Sequence, residues 1–370
     1  MKGSICRRSA SSWTLRFDLP RREDARRRQA CIAFKGNKHA AEKELARLIH
    51  EVNTGSYVDS SKITLAEYLD QWLDQIRSSV SGKTFERYEQ LLASDVIPRI
   101  GDRGLQDLRP LHLQSLYREL LDSGRRQSSG GLSARTVLHI HRALHKALGD
   151  AVKWQLLLRN PAAIAEPPRV ERRERNTLTI EEARTLLEVA KGTQYYLPTL
   201  LALTCGLRRG EILALRWADV DFEAGILIVR RSVEETKGGI VFKEPKSGRF
   251  RAVRMSAFTM TDLRQAERHG DLICSNENGG PLSPDRFSSN WRHFYERHAK
   301  IEKHITFHDL RHTHATLLLT DGMHPKIVSE RLGHSTIGIT LDLYSHVSAA
   351  MQEPAAARMD ALFNPSVRKG

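Results

Sequence analysis

The spacing of apolar positions along the chain changes period several times. Ser12 to Leu19 (SWTLRFDL) and Arg28 to Phe34 (RQACIAF) alternate as short strands do, and the basic segment between them, PRREDARRR, reads as a charged hairpin or loop. Ala40 to Val52 then takes helical spacing, with Leu45, Leu48, Ile49 and Val52 on one stripe. From Thr64 the pattern is helical throughout. Thr64 with Glu67 forms a capping box ahead of Leu65, Tyr68, Leu69, Trp72 and Leu73. Further helical runs cover Thr84 to Leu92, Arg109 to Leu121 and Ser133 to Ala151, separated by Gly, Pro and Ser. Asn160-Pro161 closes this helical domain, and Pro167-Pro168 with the mixed charges of RVERRERN makes a linker. Thr179 to Glu182 opens another capped helix, and an apolar helix follows it to about Gly206. The period then shortens to that of strands in ILIVRRSV, GIVFKEP and RFRAVRM. Helical patterns resume at Asp285 and continue to the C-terminus.

A chain of 370 residues with this sequence of patterns predicts two or three domains. Charge adds a partner. Fifty-eight Lys and Arg against 44 Asp and Glu give a formal charge of +14. That favours a polyanion, nucleic acid before an anionic membrane, with a generally basic protein as the bland alternative. The longest apolar-rich run, Tyr195 to Leu203, is roughly half the ~20 residues that cross a bilayer, so no membrane partner is expected. Nor does the basic start develop the apolar stretch of a signal peptide. Cys6, Cys31, Cys205 and Cys274 are widely spaced, without a CxxC pair, which suits a reducing, cytoplasmic setting.

Candidate chemistry concentrates after residue 200. In TCGLRRGEILALRW, Gly206 permits an unusual turn and Arg208 follows it beside a helix entrance, a place suited to phosphate. The plainer alternative is that Arg208 caps the helix or pairs with Glu211. In EPKSGRFRAVRM, Lys246 stands in a turn between two strand-like runs, where a lysine is ordinarily a solubilising charge. In HITFHDLRHTHATLLL, His308 and Arg311 are three apart on one helical face, with Leu317 to Leu319 expected to anchor the far end. His304, His308 and His312 also have i, i+4, i+8 spacing, but no glutamate of an HExxH motif or cysteine completes a zinc site. RLGHSTIGITLDLYSHV supplies His334 and, ten residues later, Tyr344. Together these groups suit phosphodiester chemistry without metal or other cofactor. Two guanidinium groups stabilise the growing negative charge, a tyrosine hydroxyl attacks phosphorus, a lysine protonates the departing oxygen, and histidine takes or holds a proton.

The four boxes, in this order, resemble the tyrosine recombinase family, the phage-integrase type of site-specific DNA recombinase. CGLRRGE is similar to its first arginine box, PKSGRFR to its hairpin lysine, HDLRHTHAT to its histidine-x-x-arginine box, and LGHSTIGITLDLYSHV to the box of the second histidine and the nucleophilic tyrosine. The resemblance implies a catalytic set of Arg208, Lys246, His308, Arg311, His334 and Tyr344. Cys205, where threonine is commoner in the family, is the one departure. It further implies a multidomain fold: a small α+β arm-type DNA-binding unit at 1–58, an all-α SAM-like core-binding domain at 61–165, a linker at 166–177, and a mixed, mainly-α catalytic domain with a small antiparallel sheet at 178–350. The tail at 351–370 would be exchanged between protomers. The implied activity is integration and excision of a mobile element or prophage through a 3′-phosphotyrosine intermediate. The implied partners are double-stranded DNA attachment sites and a tetramer formed on them, and the resemblance allows a DNA-bending host factor and an excision factor. The same scaffold would also serve a type IB topoisomerase-like enzyme without synapsis, or an inert DNA-binding regulator.

Overall fold

The computed structural model describes residues 3–19, 28–54, 57–59, 61–125, 129–171, 176–244, 250–341, 359–360 and 362–363. Lys246 and Tyr344 lie outside the described residues, as do Arg21, Arg22, Arg26, Arg27 and Met351. The chain divides into two compact units, Met1–Glu171 and Arg172–Gly370. No helix among the described residues is long and apolar enough to cross a membrane.

The first unit begins with a three-stranded antiparallel sheet, β1 (Gly3–Ser9), β2 (Ser12–Leu19) and β3 (Arg28–Lys35), in the order β1-β2-β3. Helix α1 (Lys38–Asn53), capped by the Asn37 side chain, covers one face. Strand alternation puts Leu15, Phe17 and Leu19 on that face, where they are buried with Ala41, Leu48 and Val52. The opposite face carries Ser4, Cys6, Arg16, Gln29 and Cys31, with Arg16 paired across to Cys31 and Ser4. β1 had no counterpart in the apolar pattern. Its sequence, GSICRRS, is mostly exposed, so it pairs through its backbone and buries little of its own.

A second core in this unit belongs to α2 (Leu65–Ile76), α3 (Gly82–Leu91), α4 (Ile97–Ile100), α5 (Pro110–Ser123) and α6 (Ala134–Lys153). The Thr64–Glu67 capping box closes at both legs, 2.8 and 3.2 Å, and such a cap is worth about 1 kcal/mol. Trp72 and Tyr68 are fully buried, yet both polar tips are satisfied. Trp72 Nε1 donates to Asp150 at 3.1 Å, and the Tyr68 hydroxyl donates to the Ala147 carbonyl at 2.6 Å. Lys146 and Lys153 hold the Asp150 carboxylate at 2.6 and 3.1 Å, so this buried charge is paired.

The second unit runs through α7 (Ile180–Ala190), α8 (Tyr196–Cys205) and α9 (Arg209–Ile212) into strands β4 (Val220–Asp221), β5 (Ile226–Val229), β6 (Ser232–Thr236), β7 (Gly239–Lys243) and β8 (Arg251–Arg254). It then returns to helix in α10 (Ala257–Gln265), α11 (Pro284–His298), α12 (Asp309–Thr320) and α13 (Pro325–Leu332). β4-β5-β8 form one sheet and β6-β7 a separate hairpin. The run ILIVRRSV, read above as one strand, is therefore two, broken at Arg230-Arg231. The runs on either side of Lys246 also do not pair with each other: β7 pairs with β6, and β8 pairs with β5. The multidomain α+β, all-α and mainly-α organisation expected from the sequence is the one observed.

Candidate active site

The site is made where helix ends meet. α8 is apolar on every side and mostly buried, and it ends at Gly206 in the left-handed conformation, φ 66°. Any side chain there would be strained, and a Cβ would also stand 2.5 Å from His314 Cδ2. Two residues on, Arg208 caps α9. Its backbone N–H donates to Glu211 Oε2 at 2.8 Å, and its Nη1 donates to Glu211 Oε1 at 2.9 Å. The pairing of Arg208 with Glu211 weighed above is thus present. It still leaves Arg208 about 40% exposed, with Nη2 donating to the Gly333 carbonyl at 2.9 Å.

Arg311 comes from the first turn of α12 and is 3% exposed. It donates Nη1 to Gly206 O and Nη2 to Leu332 O, each at 2.7 Å. Leu332 and Gly333 are consecutive at the C-terminus of α13, where carbonyls carry the negative end of the helix dipole. One helix end therefore orients both arginines, through adjacent carbonyls. Burial pulls the Arg311 guanidinium down to about 9, the Arg208 charge adding to this, so it remains charged at neutral pH.

Gly333 is also left-handed, φ 65°, and delivers His334 beside this pair. Burial and then the charges of Arg311, Arg208 and Arg251 lower His334 to about 4, leaving it neutral at pH 7. Its Nδ1 lies 2.8 Å from Thr340 Oγ1. His308 is exposed at the start of α12, its ring edge-on to that of His312 with centroids 5.0 Å apart. Four of the six expected residues are thus described: Arg208, Arg311 and His334 meet, and His308 stands close enough to bear on the His334 charge. His304 is not on α12 at all. It sits in the preceding loop, 3.9 Å from Glu296, so the i, i+4, i+8 stripe does not form. No group of three His, Cys, Asp or Glu able to hold a metal ion occurs among the described residues. Of Leu317 to Leu319, only Leu319 is fully buried, in a small core with Ala315, Val328 and Leu332.

Two arginines that the sequence reading did not single out complete the cluster. Arg251 clamps Glu211 through both terminal nitrogens, at 2.8 and 2.6 Å. Desolvation acts to raise Glu211, but Arg251 and then Arg208 outweigh it and hold the carboxyl at about 2. Arg331 donates to His314 Nε2 at 3.2 Å, and to the Thr204 and Arg254 carbonyls at 2.9 Å each. A signal for Arg251 was available. It shares strand register with buried Val253, whereas Phe250, Ala252 and Arg254 point outward. An arginine on the inward register of a strand needs a carboxylate.

Fold and site together define a class: a mainly-α domain around small antiparallel sheets, with an arginine centre anchored on one buried carboxylate. The model described as "Phage integrase family" matches residues 176–351, and "Phage integrase, N-terminal SAM-like domain" matches 64–121. The chain is 27% identical to the tyrosine recombinase XerC-like protein of Caldanaerobacter subterraneus subsp. tengcongensis, over 88% of this chain and 90% of the relative. It is 28% identical to the ICEBs1 integrase of Bacillus subtilis, over 66% and 71%. Among solved structures it resembles the Tn1549 transposon integrase in complex with transposon right end DNA, with a TM-score of 0.67, 22% identity, and 80% and 99% of the two chains covered. A lambda integrase tetramer bound to a Holliday junction gives a TM-score of 0.58, 19% identity, and 90% and 95% covered. These structural likenesses speak for the fold. The chain belongs to the phage integrase family, the tyrosine recombinases. It is a DNA strand-transfer enzyme, cleaving and rejoining DNA through a catalytic tyrosine in the integration and excision of mobile elements.

Proposed function

We propose that Arg208 and Arg311 clamp the scissile phosphate and that Tyr344 is the nucleophile. The observation carrying this reading is the attachment of both guanidinium groups to adjacent carbonyls, Gly333 O and Leu332 O, immediately before His334. The Tyr344 Oη attacks phosphorus, the bond from phosphorus to the 5′ oxygen breaks, and a 3′-phosphotyrosine forms. The tyrosine proton passes to a histidine. His334, neutral at pH 7, either takes it or donates a hydrogen bond to a phosphate oxygen, and His308 serves beside it. Lys246 protonates the leaving 5′ oxygen. The developing charge is met by cationic side chains, so no metal or other cofactor enters the scheme.

The partners in this reading are double-stranded DNA attachment sites, with four copies acting on two duplexes in the cytoplasm, and a DNA-bending host factor and an excision factor as accessories. The net charge of +14 and the likeness to a lambda integrase tetramer on a Holliday junction support it. The three-stranded sheet at the N-terminus is read as the arm-binding unit, its open face bearing Arg16 and Gln29 toward a DNA groove. A suicide substrate nicked next to the cleavage position tests the chemistry. Wild type should form a covalent adduct, and Tyr344→Phe should bind the same DNA without forming one. An adduct with the Phe variant, or a phosphate mapped to another tyrosine, refutes the assignment.

A further inference from the structure

We propose that Arg251 is a positioning residue of the strand-transfer site: it neutralises Glu211, so that Glu211 can orient Arg208 without cancelling the charge Arg208 brings to phosphate. The proposal rests on the reading of Arg208 and Arg311 as the phosphate clamp.

Glu211 has two opposed effects. It fixes Arg208 by accepting from its backbone N–H and from Nη1, at 2.8 and 2.9 Å. The same buried carboxylate, 7% exposed, also sets a negative charge directly against the clamp, in surroundings where water screens poorly. Arg251 resolves the conflict. It meets both carboxylate oxygens in a bidentate fork, at 2.8 and 2.6 Å, and is itself only 16% exposed against 40% for Arg208. The closer and drier pair is therefore Glu211 with Arg251, and Arg208 keeps an open outer side.

Three features hold the fork in place. The β5–β8 register pairs Val229 with Arg251, and Arg251 Nε donates to the Arg331 carbonyl at 3.3 Å. Gly333 lets the side chain pass, since a Cβ there would come within 2.9 Å of Arg251 Cδ. Arg208, Arg251 and Arg311 set against this one carboxylate leave two net positive charges among these four groups. The pentacoordinate phosphorus intermediate carries two negative ones. Without Arg251 a single positive charge would remain.

The test uses the full chain, saturating suicide substrate and single-turnover adduct formation. Arg251→Gln should slow the adduct by about 10-fold or more, the scale of a lost charged hydrogen bond, while its affinity for the same DNA changes by less than about 3-fold. Adding Glu211→Gln to that variant should restore several-fold of the rate, because the quenching charge is then gone. A purely structural role would make the double variant slower than the single one, and that result overturns the proposal. Arg251→Lys covers the case in which the glutamine variant melts early: it keeps the charge and should stay nearer to wild type than to Arg208→Ala. A lysine variant as slow as Arg208→Ala overturns the proposal as well. Absence of an adduct with wild type sinks the recombinase assignment and this proposal with it, whereas a wild-type rate in Arg251→Gln sinks the role of Arg251 alone.

Discussion

His314 shows how much of the site is decided by the partners of single atoms. The Arg331 side chain can only donate, so His314 Nε2 must accept, and Nδ1 then carries the proton that it donates to the Leu203 carbonyl at 2.7 Å. A second proton would expel Arg331 and bury a charge. Burial first, and the Arg331 and Arg311 charges with it, lower this histidine from 6.5 to about 4 despite the Leu203 bond. The sign follows. Between about 6.5 and about 4 the unfolded chain binds the proton and the folded chain does not, so the His314 contribution is complete above that window and is lost as pH falls through it. The expected slope is at most about 1.4 kcal/mol per pH unit from this one group. His314→Gln can donate to Leu203 and accept from Arg331 without titrating. Unfolding curves between pH 7 and pH 4 should therefore be less pH-dependent for the glutamine variant, and identical slopes would remove His314 as the titrating group.

Helix ends, more than helix faces, build this centre, and that governs what could be read in advance. Gly206 closes α8 where its carbonyl receives Arg311, and its Cα lies against His314 and Leu332. Gly206→Ala should lower the melting temperature of the Arg172–Gly370 unit by several degrees, since left-handed strain adds to a clash at 2.5 Å, on the order of 2 kcal/mol or more. Adduct formation should fall with it, and unchanged melting would mean the turn tolerates a side chain. The sequence signalled such turns plainly, because glycine beside a capping residue has few other uses. The Thr64, Ser133 and Thr179 caps were equally legible, since short polar side chains announce helix starts. Strand pairing was not. β6 and β7 close a local two-residue turn, but only packing across that intervening hairpin brings β8 to β5, and four-residue strands carry too few alternations to reveal this. α10 escaped for a related reason, burying only Thr259 and Leu263 and so showing almost no apolar stripe. Of the site, Arg208 two residues after Gly206 and Arg311 three residues after His308 were recognisable. Alternation with Val253 could mark Arg251 as inward-facing, but not name its partner Glu211, forty residues away in sequence.

Residues 1–60 hold 13 Lys and Arg against 7 Asp and Glu, and the described part of them folds around a core of its own built on Leu15, Phe17 and Leu48. None of the candidate catalytic residues comes from this segment. A protein starting at Ser61 retains the helical core centred on Trp72 and the whole Arg172–Gly370 unit. It should therefore still bind a core site and form the covalent adduct at a rate within a few-fold of the full chain. Recombination between complete attachment sites should collapse, because nothing would bridge distant arm DNA to the cores. The sheet face with Ser4, Cys6, Arg16, Gln29 and Cys31 is the surface that would enter the groove. Arg16→Ala in the full chain should then weaken arm binding and leave the core footprint unchanged. Residues 1–60 alone should bind arm DNA with an affinity that falls steeply as salt rises, since released counterions drive much of the association. The competing possibility is a basic appendage that captures any DNA. Footprints decide between them: protection outside the core by the full chain, absent from the Ser61 form, supports arm recognition, and identical footprints confined to the core reduce the unit to a charged handle.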